Sequence, residues 1–221
     1  MNKINHHPGE DLLFDYATGA LGEGWSLAIA THLAICPACR HSVSDIETIG
    51  GQLLDDPSPE PVNEATFDQL ISQIDQEPDQ IEAPLNRRNP DAQSPVLPEP
   101  LRSYVGGDVN QLAWKRLGFG ASQLLIPLRE QGVTARLLCI PAGRPVPTHS
   151  HGGLELTLVM SGAFSDDTGR YGRGDLQEAD DQLEHQPHAG ADADCICLAI
   201  TDAPLKFKSF AARVVQPFLG I

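Results

Sequence analysis

The feature that most limits the fold of this chain is a cluster of prolines that follows its first third. Six prolines lie at positions 78, 84, 90, 95, 98 and 100, mostly among Asp, Asn, Gln and Arg. Proline fixes φ and has no backbone N–H group, so such a stretch cannot form a long helix or a central strand. We interpret residues 79–100 as an extended, largely unpacked linker between two domains, residues 1–78 and 101–221.

The first domain has the hydrophobic spacing of α-helices. We predict helices over residues 11–20, 25–35 and 37–54, and the second of these, WSLAIATHLAI, is apolar enough to be the most buried. A fourth helix follows Asn63, a residue type suited to the N-terminal cap. It places four apolar side chains along one stripe: Phe67, Leu70, Ile71 and Ile74. Either its own domain or a partner protein must cover this stripe.

The second domain is rich in short β-type segments. Runs such as ASQLLIPLRE, VTARLLCIPAG, ELTLVMSGAFSD and CICLAIT are separated by Gly, Pro and Asp. This spacing predicts an antiparallel barrel or jelly roll. The expected fold class is therefore an all-α N-terminal domain followed by an all-β C-terminal domain.

The acidic charge of the chain is concentrated before the second domain. Residues 1–100 carry 4 basic and 17 acidic residues, a net charge of −13, whereas residues 101–221 carry 11 and 13, a net charge of −2. A strongly acidic surface repels phosphate, so direct nucleic-acid binding is not expected. The same charge attracts a basic partner protein, although it also serves solubility.

The sequence lacks the apolar segments that direct proteins into or across membranes. It has no run of about 18 apolar residues, and its start, MNKINHHPGEDLL, has no apolar core of a secretory signal. We therefore expect a cytoplasmic protein. Its five cysteines, an odd number, are then thiols or metal ligands rather than disulfides.

A first set of metal ligands occurs in the segment HLAICPAC. His32 and Cys36 are four residues apart and share a helix face, and the turn at the Cys-x-x-Cys brings Cys39 to the same point. Imidazole and thiolate ligands suit tetrahedral zinc in a closed structural site. The fourth ligand would be His6 or His7, just before the first helix. A redox Cys-x-x-Cys pair and a simple buried cluster are the alternatives.

A second set of metal ligands lies in GRPVPTHSHGGLELTLVMSG. His149, His151 and Glu155 are separated by even numbers of residues, so in extended chain they face one side of a sheet. A fourth ligand is expected from a later strand, where His185 is preferred and His188 is the alternative. Four protein ligands would close a tetrahedral zinc site, whereas octahedral iron, manganese or nickel would keep two positions open for chemistry.

These two motifs resemble those of known families. The pattern Gly-x5-His-x-His-x3-Glu-x6-Gly, from Gly143 to Gly162, is similar to the first cupin motif, and the second cupin motif is partly kept around Gly174 and His185. The first cluster resembles the zinc-binding anti-sigma domain. Over residues 5–78 and 101–221, the chain as a whole resembles the ChrR family of anti-sigma factors.

The resemblance implies a regulator rather than an enzyme. It implies a protein that binds an extracytoplasmic-function sigma factor, blocks its association with core RNA polymerase, and releases it on an oxidative signal, such as singlet oxygen, that requires the cupin domain. It also implies a Zn²⁺ site made of His7, His32, Cys36 and Cys39. A second Zn²⁺, or another divalent metal, would be held by His149, His151, Glu155 and His185.

Two further expectations combine the residues with this resemblance. The acidic domain would be drawn to the basic DNA-contacting regions of a sigma factor, and its apolar stripe would insert between them. The remaining cysteines, Cys139, Cys195 and Cys197, fall in apolar strands and are expected in the core, with a sensing role for the last two as the alternative. A competing function is a metal-dependent cupin enzyme, an oxygenase or isomerase, with a structural zinc appendage.

Overall fold

The computed structural model describes residues 3–76, 94–118 and 120–208. Five helices occur in this part of the chain: α1 (Glu10–Ala17), α2 (Glu23–Ile35), α3 (Pro37–Asp55), α4 (Glu64–Gln76) and α5 (Glu99–Val105). Four of them correspond to the predicted helices. Among the described residues, no helix has both the length and the apolar character needed to cross a bilayer.

The helix ends follow local sequence rules. The first helix was expected to reach residue 20 but ends at Ala17, because Gly19 adopts a φ of +72°, which right-handed helix does not allow. The predicted cap of α4 is present: the side-chain oxygen of Asn63 accepts a hydrogen bond from the backbone N–H of Ala65 at 3.0 Å.

The end of the predicted linker is packed rather than extended. Residues 77–93 lie outside the described residues, but Leu97 is fully buried and α5 begins at Glu99. The carboxylate of Asp108 accepts the backbone N–H groups of Val96 and Leu97 at 3.0 and 2.9 Å. The expected boundary at residue 100 therefore falls inside a helix, because prolines are tolerated in the first turn of a helix.

The rest of the described chain consists of antiparallel strands. They are β1 (Lys115–Gly118), β2 (Ala121–Ile126), β3 (Thr134–Ile140), β4 (His149–Ser150), β5 (Glu155–Ser161), β6 (Ala163–Asp166), β7 (Gly169–Gly172), β8 (Leu176–Ala179), β9 (Glu184–His185), β10 (His188–Ala189), β11 (Cys195–Thr201) and β12 (Lys206–Phe207). A six-stranded sheet has the order β1-β2-β3-β11-β5-β8, and two three-stranded sheets have the orders β10-β6-β7 and β12-β4-β9. The fold class is as predicted, helices followed by an antiparallel β-domain.

The central strands of the six-stranded sheet, β5 and β11, are buried on both faces. On β5, Glu155 and Thr157 face a cavity inside the β-domain, whereas the intervening Leu156 and Leu158 belong to a core shared with α1 and α2. Helix α2 itself contacts β5, β11 and α5. This explains why β5 is buried almost throughout, although polar and apolar residues alternate over its first half.

The N-terminus of α2 is fixed to the β-domain by reciprocal hydrogen bonds. The Glu130 carboxylate accepts the backbone N–H of Gly24 at 3.0 Å, and the Glu23 carboxylate accepts that of Arg129 at 2.6 Å. A Cβ on Gly24 would lie 2.8 Å from a methyl carbon of Val133, so only glycine allows the helix to approach the sheet this closely.

The described residues form two compact units. The first contains those up to Glu47 together with those from Pro95 onward, so α1, α2, the start of α3 and the β-domain belong to one body. The second contains the described part of Thr48–Ser94, which holds the end of α3 and all of α4.

Candidate metal centres

The structure brings all four predicted ligands of the first site together. The His7 Nδ1 atom lies 3.4 Å from the Cys36 Sγ atom and 3.3 Å from the Cys39 Sγ atom. The His32 Nε2 atom lies 3.3 Å from the same Cys39 sulfur, and the four ligand atoms are within 4.8 Å of one another. Two sulfur and two nitrogen donors at this spacing fit a tetrahedral Zn²⁺ ion.

The junction of α2 and α3 builds most of this site. His32 lies in the last turn of α2, Cys36 is its C-terminal cap in extended conformation, and α3 restarts at Pro37 so that Cys39 falls in its first turn. The cap keeps one further helical hydrogen bond, from the Cys36 N–H to the His32 carbonyl at 2.8 Å. His7 completes the set from the segment before α1.

The surroundings of the first site set the protonation of its ligands in favour of binding a cation. Burial and the neighbouring His7 lower the pKa of His32 to about 4, so its imidazole is neutral at pH 7 with a free lone pair for a metal. Burial and the nearby Cys36 raise the pKa of Cys39 to about 12. Without a cation Cys39 therefore holds its proton, and a bound metal ion would stabilise the thiolate.

The second site is a triad of buried histidines. The Nε2 atom of His185 lies 3.1 Å from that of His149 and 3.2 Å from that of His151. His149 and His185 are directly opposite each other in the pairing of β4 with β9. Three imidazole nitrogens aimed at one point fit a divalent ion such as zinc and would leave a position for a further ligand. His188, the alternative ligand, is exposed on β10 and lies outside the triad.

Hydrogen bonds at the other ring nitrogens orient two of these histidines. The Nδ1 atom of His149 is 2.8 Å from the Pro147 carbonyl oxygen, and that of His185 is 2.7 Å from a carboxylate oxygen of Asp166. Each Nδ1–H therefore donates, which leaves the Nε2 lone pair for a metal. Burial, above all other effects, lowers the pKa of His149 to about 4 and keeps its ring neutral.

Asp166 contacts the histidine triad, although no pattern in the sequence indicates it. Its side chain is fully buried, and burial raises its pKa, but hydrogen bonds from Thr168, Gln177 and His185 outweigh burial and hold the pKa at about 2. The carboxylate is therefore ionised and anchors His185 from the side opposite the triad. Its distance from His185 in the sequence, 19 residues, gives no spacing pattern that would have identified it.

Glu155 stands beside the triad rather than within it. Its carboxylate lies 3.6 Å from His151, on the Nδ1 side of the ring, and accepts a hydrogen bond from the Thr157 hydroxyl at 2.9 Å. Burial raises its pKa to about 7, and this effect exceeds the opposite influence of Thr157 and Arg136. Among the described residues, only the three histidines meet within ligand distance at this site.

A cavity of about 80 Å³ adjoins the triad inside the β-domain. It is lined by residues of the large sheet and of both small sheets. Apart from aliphatic and proline side chains, the lining residues are His149, Glu155, Thr157, Phe164, Gln177, His185, Cys195 and Cys197. Two of the three cysteines predicted to lie in the core, Cys195 and Cys197, thus line the same cavity as His149 and His185.

The predicted apolar stripe on α4 is exposed. Its four residues, Phe67, Leu70, Ile71 and Ile74, are between 43% and 66% accessible to solvent. On the last turns of α3, Ile49, Leu53 and Leu54 are also exposed. The stripe is therefore exposed within the unit that holds α4, and its role in binding a partner stays a prediction.

A helical two-thiolate, two-imidazole site joined to a β-domain with a histidine triad defines a class of protein, the zinc-binding anti-sigma factors with a cupin-like domain. Comparisons with known proteins agree with this class. Residues 103–203 match the family described as ChrR Cupin-like domain. Over 218 residues, the chain is 44% identical to the Anti-sigma-E factor ChrR of Cereibacter sphaeroides, covering 99% of both proteins.

A solved structure gives the same assignment. The crystal structure of Rhodobacter sphaeroides SigE in complex with the anti-sigma ChrR matches 90% of this chain and 99% of that chain, with a TM-score of 0.77 and 40% identity. The chain therefore belongs to the ChrR family of anti-sigma factors. The resemblance seen in the two sequence motifs is thus confirmed.

Proposed function

We propose that this protein is an anti-sigma factor that binds an extracytoplasmic-function sigma factor and blocks its association with core RNA polymerase. The observation that carries the proposal is the similarity along almost the whole chain to ChrR, which was crystallised with SigE. Sigma factors act in the cytoplasm, so the proposal includes a cytoplasmic location for this protein. The chain acts as a regulator, and its first metal site has the structural role of joining the N-terminus, α2 and α3.

The exposed stripe on α4 supports a docking surface for the sigma factor. A monomer rarely leaves such an amphipathic face uncovered, and helix-in-groove binding uses residues spaced as Phe67, Leu70, Ile71 and Ile74 are. The net charge of −13 on residues 1–100 would steer this surface towards a basic partner. Apolar contact then supplies affinity, while charge supplies the rate of association.

Substitutions in the stripe test the docking surface. The double variant Phe67→Asp, Leu70→Asp should weaken sigma binding by at least about 3 kcal/mol, roughly 100-fold or more, because it removes two buried apolar contacts and introduces charge. The matched control is the double variant Gln69→Asp, Ser72→Asp, which adds the same two negative charges on the side of α4 away from the stripe. Titration calorimetry with the purified sigma factor measures affinity, and metal analysis measures N-terminal zinc. Unchanged affinity in the Phe67→Asp, Leu70→Asp variant would remove the stripe from the interface.

We further propose that an oxidative signal, such as singlet oxygen, releases the sigma factor and requires the cupin-like domain. Cys195 and Cys197 line the same cavity as His149 and His185, so oxidisable side chains lie beside a candidate metal site. Illuminating the complex with a photosensitiser should release sigma from the natural protein and release less from a His149→Ala variant. Equal release from both would exclude the histidine site from the response.

The histidine triad also favours a second candidate function, that of a metal-dependent cupin enzyme. Three protein nitrogens leave coordination positions open, as in catalytic sites, and a cavity adjoins them. Metal analysis of the purified chain separates the two functions. About two zinc ions per chain favours the regulator, whereas a redox metal in the triad with turnover of a small substrate favours the enzyme.

A further inference from the structure

The segment that carries the zinc ligand His7 is held by the β-domain. The Asp175 carboxylate accepts the backbone N–H groups of Asn5 and His6 at 2.6 and 2.9 Å, and the Leu176 N–H donates to the His6 carbonyl oxygen at 3.1 Å. The Glu178 carboxylate accepts the Gly9 N–H at 2.7 Å. Four hydrogen bonds from residues on and just before β8 thus fix the backbone on both sides of His7.

Asp175 is well suited to hold this segment. It is buried, and although burial raises its pKa, the N–H donors of Gly172, Asn5 and His6 outweigh burial and lower it. Its carboxylate is therefore ionised, and such charge-assisted hydrogen bonds are about twice as strong as neutral ones. The preceding residue, Gly174, has a φ of +89°, and a Cβ there would lie 2.8 Å from the side chain of Ile4.

The same strand reaches the histidine triad. Between Leu176 and Glu178, the Gln177 side chain turns into the β-domain and donates to Asp166 at 2.8 Å and to the Thr168 hydroxyl at 2.9 Å. Asp166 in turn accepts the Nδ1–H of His185 at 2.7 Å. Alternate residues of β8 therefore contact the segment that carries His7 and the carboxylate that holds His185.

A second connection runs through the turn between β6 and β7. The Thr168 hydroxyl is 2.5 Å from Asp166 and 3.0 Å from the Tyr171 hydroxyl. The Tyr171 ring lies against the His6 ring, with centroids 4.3 Å apart. This places His6, the residue before His7, at the end of an unbroken series of contacts that starts at His185.

We propose that β8 and the β6–β7 turn couple the histidine triad to the zinc site, with Asp175 as the positioning residue for His7. When His185 is fixed, Asp166, Thr168 and Gln177 are ordered, and β8 presents Asp175 to the N-terminal segment. When His185 is released, this arrangement loosens and the zinc site loses its hold on His7. The consequence for sigma binding rests on the proposed function, whereas the coupling itself is a property of the two sites.

Cobalt allows the first site to be followed alone in the full-length chain. Two thiolates give a bound Co²⁺ ion a charge-transfer absorption that three imidazoles do not give, so this band reports only the site of Cys36 and Cys39. The rate at which the band disappears in excess chelator measures how firmly that site holds its metal.

The first comparison tests the positioning role. Asp175→Asn should release cobalt about tenfold faster, the lower end of the effect of losing an outer-shell partner. The matched control is Asp108→Asn, since that carboxylate accepts the backbone N–H groups of Val96 and Leu97 instead. If Asp175→Asn does not fold, Glu178→Gln provides a second test, because the exposed Glu178 side chain also holds the N-terminal segment. This variant should also accelerate the release of cobalt. Natural rates in the folded variants would overturn the positioning role.

The second comparison tests the coupling. His185→Ala should accelerate cobalt release from the thiolate site at least about fivefold in the natural background and have a clearly smaller effect on top of Asp175→Asn, where only the connection through Tyr171 remains. No acceleration, or the same acceleration in both backgrounds, would overturn the proposal. A chain that shows this coupling but fails to bind a sigma factor would refute the proposed function and leave the coupling in place.

Discussion

Replacing Asp166 with asparagine gives the sharpest test of the histidine triad. The Asp166 side chain is fully buried, and its carboxylate accepts hydrogen bonds from His185, Gln177 and both the N–H and hydroxyl of Thr168. Asp166→Asn preserves the size of the side chain but removes its charge and replaces one acceptor oxygen with a donor. We expect His185 to lose the partner that fixes its Nε2 lone pair towards the triad.

The size of the effect follows from that one interaction. A hydrogen bond to a charged group contributes about 1.5–3 kcal/mol, which corresponds to roughly 10- to 150-fold in a dissociation constant. Losing the outer-shell partner of a metal-bound histidine costs about 10- to 100-fold in affinity, which is the same range. We therefore expect zinc to bind the triad about 10- to 100-fold more weakly in Asp166→Asn.

Zinc competition against a chromophoric chelator measures this affinity, while the cobalt band of the thiolate site verifies that the first site is still filled. Asp167→Asn is the matched control, because it removes the same charge from the adjacent, exposed position. If Asp166→Asn bound zinc at the triad as tightly as Asp167→Asn, Asp166 would have no role in holding His185, and the reasoning would be refuted.

Two further predictions concern the helices and the first site. Gly24→Ala should destabilise the protein by about 1–3 kcal/mol, since its Cβ would lie 2.8 Å from Val133, whereas Gly50→Ala, in open space, should stabilise it by up to about 1 kcal/mol. Urea denaturation measures the free energy of unfolding of both variants. If both substitutions changed it in the same direction, the close packing of α2 would be contradicted. Zinc affinity at the thiolate site should rise at least about tenfold per pH unit from pH 6 to 8, because Cys39, with its pKa raised to about 12, must lose a proton to bind. An affinity independent of pH in chelator competition would refute this.

The sequence predicted features that depend on near neighbours. His32, Cys36 and Cys39 lie within eight residues at the junction of α2 and α3, so their convergence follows from local helix geometry. The even spacing of His149 and His151 likewise follows from strand geometry. Helix α2 was correctly expected to be the most buried helix from its composition, because an all-round apolar helix must be covered on every side.

The features that the sequence did not predict depend on distant partners. The spacing of the ligands did not decide between His6 and His7 as the fourth ligand of the first site. In the structure, His6 lies against Tyr171 and Asp175 instead, and these partners are more than 160 positions away in the sequence. Helix α5 was not predicted, because prolines at its start usually indicate an interruption of regular secondary structure. The sheet that covers α2 could not be identified from the sequence either. An apolar helix is expected to be buried, but its composition does not indicate which element it packs against.

The path of the chain between the two compact units has a consequence for proteolysis. The polypeptide leaves the first unit after Glu47 and re-enters it at Pro95, so both ends of this excursion are anchored in the same body. A protease that cut within the excursion would produce two polypeptides whose matching surfaces, α2 on one and the six-stranded sheet on the other, are already buried against each other. The nicked protein would then migrate as a single species in a native gel and as two bands only after denaturation. Loss of covalent continuity there would not separate α1 and α2 from the β-domain.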